Sequence, residues 1–102
     1  MNIESLKLSG IKYRINFKDS IDLNGDDCQG MFSPMKNEIF IKEDLRSDLQ
    51  SVLSVLIHEM IHAIDYCYDV GLTETKVQKL GMGVHDLLVN NPQLLEAIRE
   101  SA

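Results

Sequence analysis

Several residue types are scarce in this chain of 102 residues, and each shortage excludes a class of protein. Two cysteines are too few for the disulfide framework that stabilises small secreted domains. No apolar run is long enough to cross a bilayer, because His58, Glu59 and His62 interrupt the most apolar region, 52–64. The first four residues lack the basic start and apolar core of a signal peptide. We therefore expect a cytoplasmic protein with no membrane partner.

Basic residues are also few, which bears on the choice of partner. Ten Lys and Arg stand against sixteen Asp and Glu, for a formal net charge of −6. Because phosphate backbones are bound by basic surfaces, a nucleic-acid partner is disfavoured, and the basic alternation of Lys12, Arg14 and Lys18 fits a solvated sheet face. The hydrophobic fraction of 44% is typical of a folded protein. The length fits one domain, which we expect to span 1–102.

The first part of the chain, from about 5 to 42, predicts a small antiparallel sheet of three or four strands. Its clearest strand alternates apolar with polar side chains, the apolar ones being Ile11, Tyr13, Ile15 and Phe17. A shorter strand around Leu6 and Leu8 precedes a turn at Ser9-Gly10. Two further strands, 29–32 and 38–42, flank a turn at 33–37 that contains proline and asparagine.

From residue 47 the apolar period changes to 3.6, which predicts three helices at about 47–69, 73–89 and 92–101. Ser47 or Asp48 can cap the first helix, and Gly71 follows it as a stop signal. Thr73 can cap the second helix, and Pro92 suits the first turn of the third. The sequence therefore predicts an α+β fold with the sheet packed on the first helix.

The segment His58-Glu59-Met60-Ile61-His62 is an HExxH motif on the first predicted helix. Two histidines four residues apart lie on one helix face, where both can bind one metal ion. Glu59 lies about 100° around the helix, where a carboxylate can take a proton from water and pass it to a leaving amine. Zinc (Zn²⁺) suits two imidazoles and one carboxylate and keeps a position open. The motif therefore predicts a zinc site with Glu59 as the catalytic base.

Glu74 is the predicted third metal ligand. Gly71 ends the first helix, so the chain can reverse and bring the start of the second helix back beside it. Glu74 shares a stripe with Val77, which should face inward, and an inward carboxylate needs a cation or a partner. A first-turn glutamate favoured by the helix dipole is the less favoured alternative. His85 lies eleven residues further, about 16 Å along the helix, so it cannot share an ion with Glu74.

Other side chains near the motif have less distinctive positions. Tyr66 points in nearly the same direction as the motif glutamate and is a candidate catalytic donor to a developing oxyanion. Most tyrosines at such positions are simply packed at the rim of a site. Asp65, close to His62, could accept an imidazole N–H or lie exposed. Cys67 faces the core, and no base is placed beside Cys28 to make it a nucleophile.

Several stretches of this sequence resemble the small phage- and prophage-encoded zinc metallopeptidase-like proteins of the ImmA/IrrE type. These are Gly30-Met31, NEIFI at 37–41, LIHEMIHAID at 56–65, LTE at 72–74 with Val77, and Asn91-Pro92. The resemblance covers about residues 11–98. It implies that His58, His62 and Glu74 bind zinc, that Glu59 is the base, and that the protein acts on a protein substrate in the cytoplasm of a bacterial host.

Two functions remain open from the sequence. The first is a zinc metalloendopeptidase whose protein or peptide substrate adds as an extra strand to an edge strand at Glu38–Lys42. The second is a non-catalytic, zinc-stabilised module that binds a host or phage protein, because a small domain has a limited core. A fourth protein ligand such as His85 or Asp65 would favour the second function. An open coordination position beside Glu59 would favour the first.

Overall fold

A computed structural model describes residues 3–23 and 25–102, so Met1, Asn2 and Asn24 lie outside it, including the chain start read for a signal peptide. The fold is α+β, as predicted. The strands are β1 Ser5–Leu8, β2 Ile11–Lys18, β3 Asp22–Leu23, β4 Asp26–Asp27, β5 Gly30–Ser33 and β6 Glu38–Lys42. The helices are α1 Leu49–Tyr68, α2 Glu74–Val89 and α3 Pro92–Ser101, and a 3₁₀ turn, Glu43–Leu45, precedes α1.

The main sheet has the order β1-β2-β6-β5 and is mixed rather than purely antiparallel. β1 pairs with β2, and β5 with β6, in antiparallel hairpins, whereas β2 and β6 are parallel. The prediction of an antiparallel sheet was wrong at this one pairing. β6, the second strand of the β5–β6 hairpin, lies next to β2 and runs in the same direction. Side-chain alternation is the same in both directions and cannot reveal this.

The inner position of β6 overturns the prediction that Glu38–Lys42 is an edge strand. β6 lies between β2 and β5, and Ile39 and Ile41 are among the most buried residues of the protein. Such burial is typical of a strand with neighbours on both sides. The free edge next to α1 belongs instead to β5, Gly30–Ser33.

The core forms where one face of the sheet packs on α1. Its central cluster consists of Ile15, Ile39, Ile41, Val52 and Leu56. The opposite face of β6 carries Phe40, whose ring lies 4.1 Å from the Lys18 ammonium. The apolar stripes of two strands and one helix therefore supply the core, as their periods predict.

The α1–α2 connection reverses the chain. Asp48 caps α1 by accepting the Ser51 N–H at 3.4 Å, and the helix ends at Asp69, whose φ is 51°. Gly71, the predicted stop signal, follows with a φ of 84°. Two left-handed residues in three positions turn the chain sharply, and Thr73 then caps α2. As a result α2 runs back along α1.

The two glycines inside α2 have different surroundings. A Cβ on Gly81 would lie 3.5 Å from the Cα of His58, so α2 crosses α1 closely beside the HExxH motif. A Cβ on Gly83 would have no atom within 4 Å. The third helix, α3, packs on α2. Within residues 3–23 and 25–102, no helix combines the length and apolar character that a membrane span requires.

We predict that Gly83→Ala stabilises the protein by about 0.5–1 kcal/mol, because alanine restricts the unfolded chain and the site is open. Urea denaturation measures the change in the free energy of unfolding. The control is Gly71→Ala, where space is also free but the positive φ penalises a side chain, so stability should fall. A loss of stability in Gly83→Ala would show that this face of α2 is covered.

Candidate metal centre

His58, His62 and Glu74 come together where α2 begins beside α1. The two imidazole rings lie 5.1 Å apart on successive turns of α1. The Glu74 carboxylate oxygens lie 2.8 Å from Nε2 of His58 and 2.9 Å from Nε2 of His62. All three ligand atoms fall within 4.8 Å of one another, so this group can hold a metal ion. The predicted chain reversal thus brings Glu74 to the motif.

The donor set suits a divalent transition metal. Around a tetrahedral ion with bonds of about 2.0–2.1 Å, ligand atoms lie about 3.3 Å apart, so a slight opening of this group accommodates one. The side chains of His58 and His62 are half-buried, whereas that of Glu74 is 67% exposed. The centre therefore opens towards solvent on the Glu74 side.

Asp65 fastens the loop that carries Glu74. Its Oδ1 accepts the N–H of Gly71 at 2.7 Å and that of Leu72 at 3.0 Å. Its backbone oxygen also accepts the Val70 N–H at 3.2 Å. Among the described residues the Asp65 carboxylate has no imidazole partner, so its observed role differs from the one predicted. Asp65 positions Glu74 through the loop rather than through a histidine.

Glu59 is buried between α1 and the sheet. Only 6% of it is exposed, and it is the one charged residue buried among those the structure describes. The covering element is β5. A Cβ on Gly30 would lie 2.5 Å from Val55 Cγ1 and 3.2 Å from Glu59 Oε2, so only glycine lets this strand come so close.

The free edge of β5 also supplies a hydrogen bond to Glu59. The Lys42 N–H donates to the oxygen of Gln29, the residue opposite it just before β5. From this pair onward, hydrogen-bonded and non-hydrogen-bonded residue pairs alternate along the β5–β6 ladder. By that alternation the N–H of Phe32 faces away from β6. This N–H donates to the Glu59 carboxylate. The strand therefore both covers the carboxylate and partly offsets the rise in its pKa.

The environment of Glu59 shifts its acidity. Burial and, to a smaller extent, the negative charge of Glu74 raise the pKa of the Glu59 carboxyl, the Phe32 N–H lowers it, and together they bring it to about 7. A carboxyl with a pKa near neutrality can both accept and release a proton under physiological conditions. Such a shift is typical of a catalytic acid–base group.

A cleft of about 840 Å³ lies between β5 and α1 and contains the metal-binding group. One side of the cleft is lined by residues of α1 and α2, namely Ser54, Val55, His58, Glu59, His62, Asp65, Tyr66, Glu74 and Gln78. The loop and strand side is formed by Leu23, Cys28, Gln29, Gly30, Met31, Phe32 and Pro34. The cleft is therefore continuous with the free edge of β5.

Tyr66 lies in the cleft wall and is 63% exposed. Its ring meets Phe32 edge to face at 5.8 Å, and Phe32 in turn packs on Tyr13 at 5.5 Å. The Tyr13 hydroxyl lies 3.2 Å from the Cys67 sulfur, and this hydrogen bond together with burial raises the pKa of Tyr13 to about 12. Cys67 thus packs away from the metal group. A catalytic role for Tyr66 stays a prediction.

The remaining candidates lie outside the metal group. His85 is absent from the one cluster of metal-binding side chains found in the described residues, as its distance along α2 predicts. Its Nε2 is buried and has no hydrogen-bond partner in that part of the chain. Cys28 is half-buried in the cleft wall.

Sequence reasoning missed Gly30 and Phe32 as residues of the site. A signal was present for the first, because a glycine inside a strand pattern often marks a close approach of another element. For Phe32 the relevant group is the backbone N–H, whose direction depends on strand pairing. No local pattern reveals it.

Comparisons of the chain with models of protein families, with curated proteins and with solved structures found no match. The resemblance to the ImmA/IrrE type therefore stays an interpretation of the sequence motifs.

We predict that Asp65→Ala lowers stability by about 1–2 kcal/mol and weakens metal binding, because two backbone N–H groups lose their acceptor and Glu74 loses its anchor. Thermal denaturation and competition with a zinc chelator measure the two effects. Asp65→Asn retains an acceptor oxygen and should keep most of both properties. Equal losses of stability and metal affinity in both variants would show that these properties depend on the carboxylate charge rather than on the loop contact.

We predict that metal-free protein loses stability as pH rises from about 4.5 to about 7. Glu59 titrates near 4.5 when unfolded but near 7 when folded, so its ionisation penalises only the folded state over this range. The loss should reach roughly 3 kcal/mol at most. Thermal denaturation of metal-free Glu59→Gln should show a stability gain at pH 8 and almost none at pH 4. A gain that is equal at both pH values would contradict this assignment.

Proposed function

We propose that this protein is a zinc-dependent metalloendopeptidase that hydrolyses peptide bonds in a protein or peptide substrate. The observation that carries the proposal is the convergence of His58, His62 and Glu74 beside the buried carboxyl of Glu59, in an open cleft. A metal-binding group and an acid–base carboxyl on one helix are the two parts that metal-assisted hydrolysis requires.

His58, His62 and Glu74 would hold zinc, which supplies polarisation of the scissile carbonyl and a lowered pKa for water. Glu59 accepts a proton from the attacking water and delivers it to the leaving amine. The Phe32 N–H favours the ionised form of the Glu59 carboxyl, which is the form that accepts the proton. Burial favours this cycle because it makes the protonated form accessible near neutral pH.

The free edge of β5 is the surface on which an extended substrate would lie. By the ladder alternation the carbonyls of Gly30 and Phe32 face this edge, as does the N–H of Gly30. A peptide that pairs with them adds one strand to the sheet, directly above the cleft. This replaces the predicted docking at Glu38–Lys42, which the sheet order rules out.

A non-catalytic, zinc-stabilised binding module is the second candidate function. It calls for a closed coordination sphere with a fourth protein ligand. In the part of the chain that the structure describes, Asp65 is engaged by loop amides and His85 lies outside the metal-binding cluster. The geometry therefore favours an open coordination position and, with it, catalysis. Bound zinc would still stabilise the fold by mass action.

We predict that purified protein binds one equivalent of zinc and cleaves protein substrates, and that Glu59→Gln keeps the zinc but cleaves about 10²–10⁴-fold more slowly. Elemental analysis and a cleavage screen by mass spectrometry measure both properties. His62→Ala should lose zinc and activity together. Glu96→Gln, which changes an exposed glutamate on α3, is the matched control and should leave both unchanged. Absence of stoichiometric zinc, or unchanged cleavage by Glu59→Gln, would overturn the proposal.

A further inference from the structure

Phe32 and Tyr66, here called the aromatic wall, form an apolar surface inside the cleft. The two rings meet edge to face at 5.8 Å, one from the free strand β5 and the other from α1. Both line the cleft together with Glu59 and His62. Tyr66 leaves 63% of its surface exposed. The wall therefore offers partly exposed aromatic surface inside the cleft.

The aromatic wall is held in place from the core. Phe32 packs on the buried ring of Tyr13 at 5.5 Å, and the Tyr13 hydroxyl is bonded to the Cys67 sulfur at 3.2 Å. The backbone of Phe32 is fixed by its pairing with Ile39 and by its N–H bond to Glu59. A surface that is ordered in advance loses little conformational entropy on binding, which favours its use as a subsite.

The position of the aromatic wall relative to the metal group sets which part of a substrate can reach it. Tyr66 lies one helical turn beyond His62, on the same side of α1. Phe32 contacts Glu59 through its backbone. A substrate carbonyl placed at the metal group therefore has a neighbouring side chain within reach of both rings.

The charges around the aromatic wall restrict the chemistry of that side chain. The carboxylates of Asp65 and Glu74 line the same cleft, so an acidic side chain would be repelled. A small side chain would leave most of the ring surface exposed to water. An aromatic or large aliphatic side chain gains both the buried apolar area and, if aromatic, the edge-to-face contact.

We propose that Phe32 and Tyr66 form a specificity subsite that binds an aromatic or large aliphatic side chain next to the scissile peptide bond. This inference rests on the proposed peptidase function, because the metal group defines the register of the substrate. It assigns Tyr66 a binding role through its ring, in contrast to the predicted catalytic role through its hydroxyl. The binding role requires that Tyr66→Phe, which retains the ring, keeps the side-chain preference.

The test uses the zinc-loaded full chain and short peptide hydroxamates, which bind zinc without requiring turnover. The hydroxamates differ only in the side chain next to the zinc-binding group, which is that of phenylalanine, leucine, alanine or aspartate. Isothermal titration calorimetry measures their affinities for wild type, Tyr66→Phe, Tyr66→Ala and Tyr68→Ala. Tyr68 is the matched control, because it lies on the same helix with 60% exposure but does not line the cleft.

We expect wild type to bind the phenylalanine and leucine compounds about tenfold more tightly than the alanine compound, and the aspartate compound most weakly. Tyr66→Phe and Tyr68→Ala should keep this preference, whereas Tyr66→Ala should lose most of it. Equal affinities for all side chains in wild type, or an unchanged preference in Tyr66→Ala, would overturn the subsite alone. A zinc-loaded protein that binds none of the hydroxamates would overturn the proposed function, and the subsite with it.

Discussion

The contact between the Glu74 carboxylate and two imidazoles of α1 determines how the helical part of this protein is arranged. Both carboxylate oxygens are used, one for His58 and one for His62. To reach them, α2 must begin beside the second half of α1, which requires the left-handed residues at 69 and 71. Asp65 holds the loop between them. The packing of α2 on α1 and the geometry of the metal-binding group therefore depend on the same contact.

Burial of Glu59 is the second constraint, and it links the sheet to the same site. A carboxyl away from water is unfavourable in its charged form, which is why the pKa rises. The fold keeps Glu59 buried because Gly30 lets β5 lie directly on α1 and the Phe32 N–H donates to the carboxylate. A residue that opposes the stability of the metal-free protein in this way is typical of a functional site.

The cleft lies outside the central core. Two strands and one helix supply that core, β5 forms a free edge of the sheet, and α3 has no buried residue. The same strand that covers the acid–base carboxyl also offers unpaired backbone groups and the ring of Phe32. A substrate would thus meet the strand edge, the metal group and the aromatic wall along one cleft.

Much of this arrangement follows from local sequence patterns. The alternation of Tyr13, Ile15 and Phe17, and the change to a period of 3.6 after residue 47, determined the strands and helices because such periods reflect one buried face. The spacing of His58 and His62 determined a shared helix face. The stop signal after α1 predicted that the chain reverses there and brings Glu74 back beside the two histidines.

Only the tertiary structure decided that the sheet is mixed, that Gly30–Ser33 rather than Glu38–Lys42 is the free edge, and that Glu59 is buried. A middle strand and an edge strand can have the same apolar alternation, so the pattern of Ile39 and Ile41 does not reveal its neighbours. Likewise, the position of Glu59 on α1 does not reveal that a strand lies over it. Both outcomes depend on contacts between residues distant in the chain, which no local period specifies.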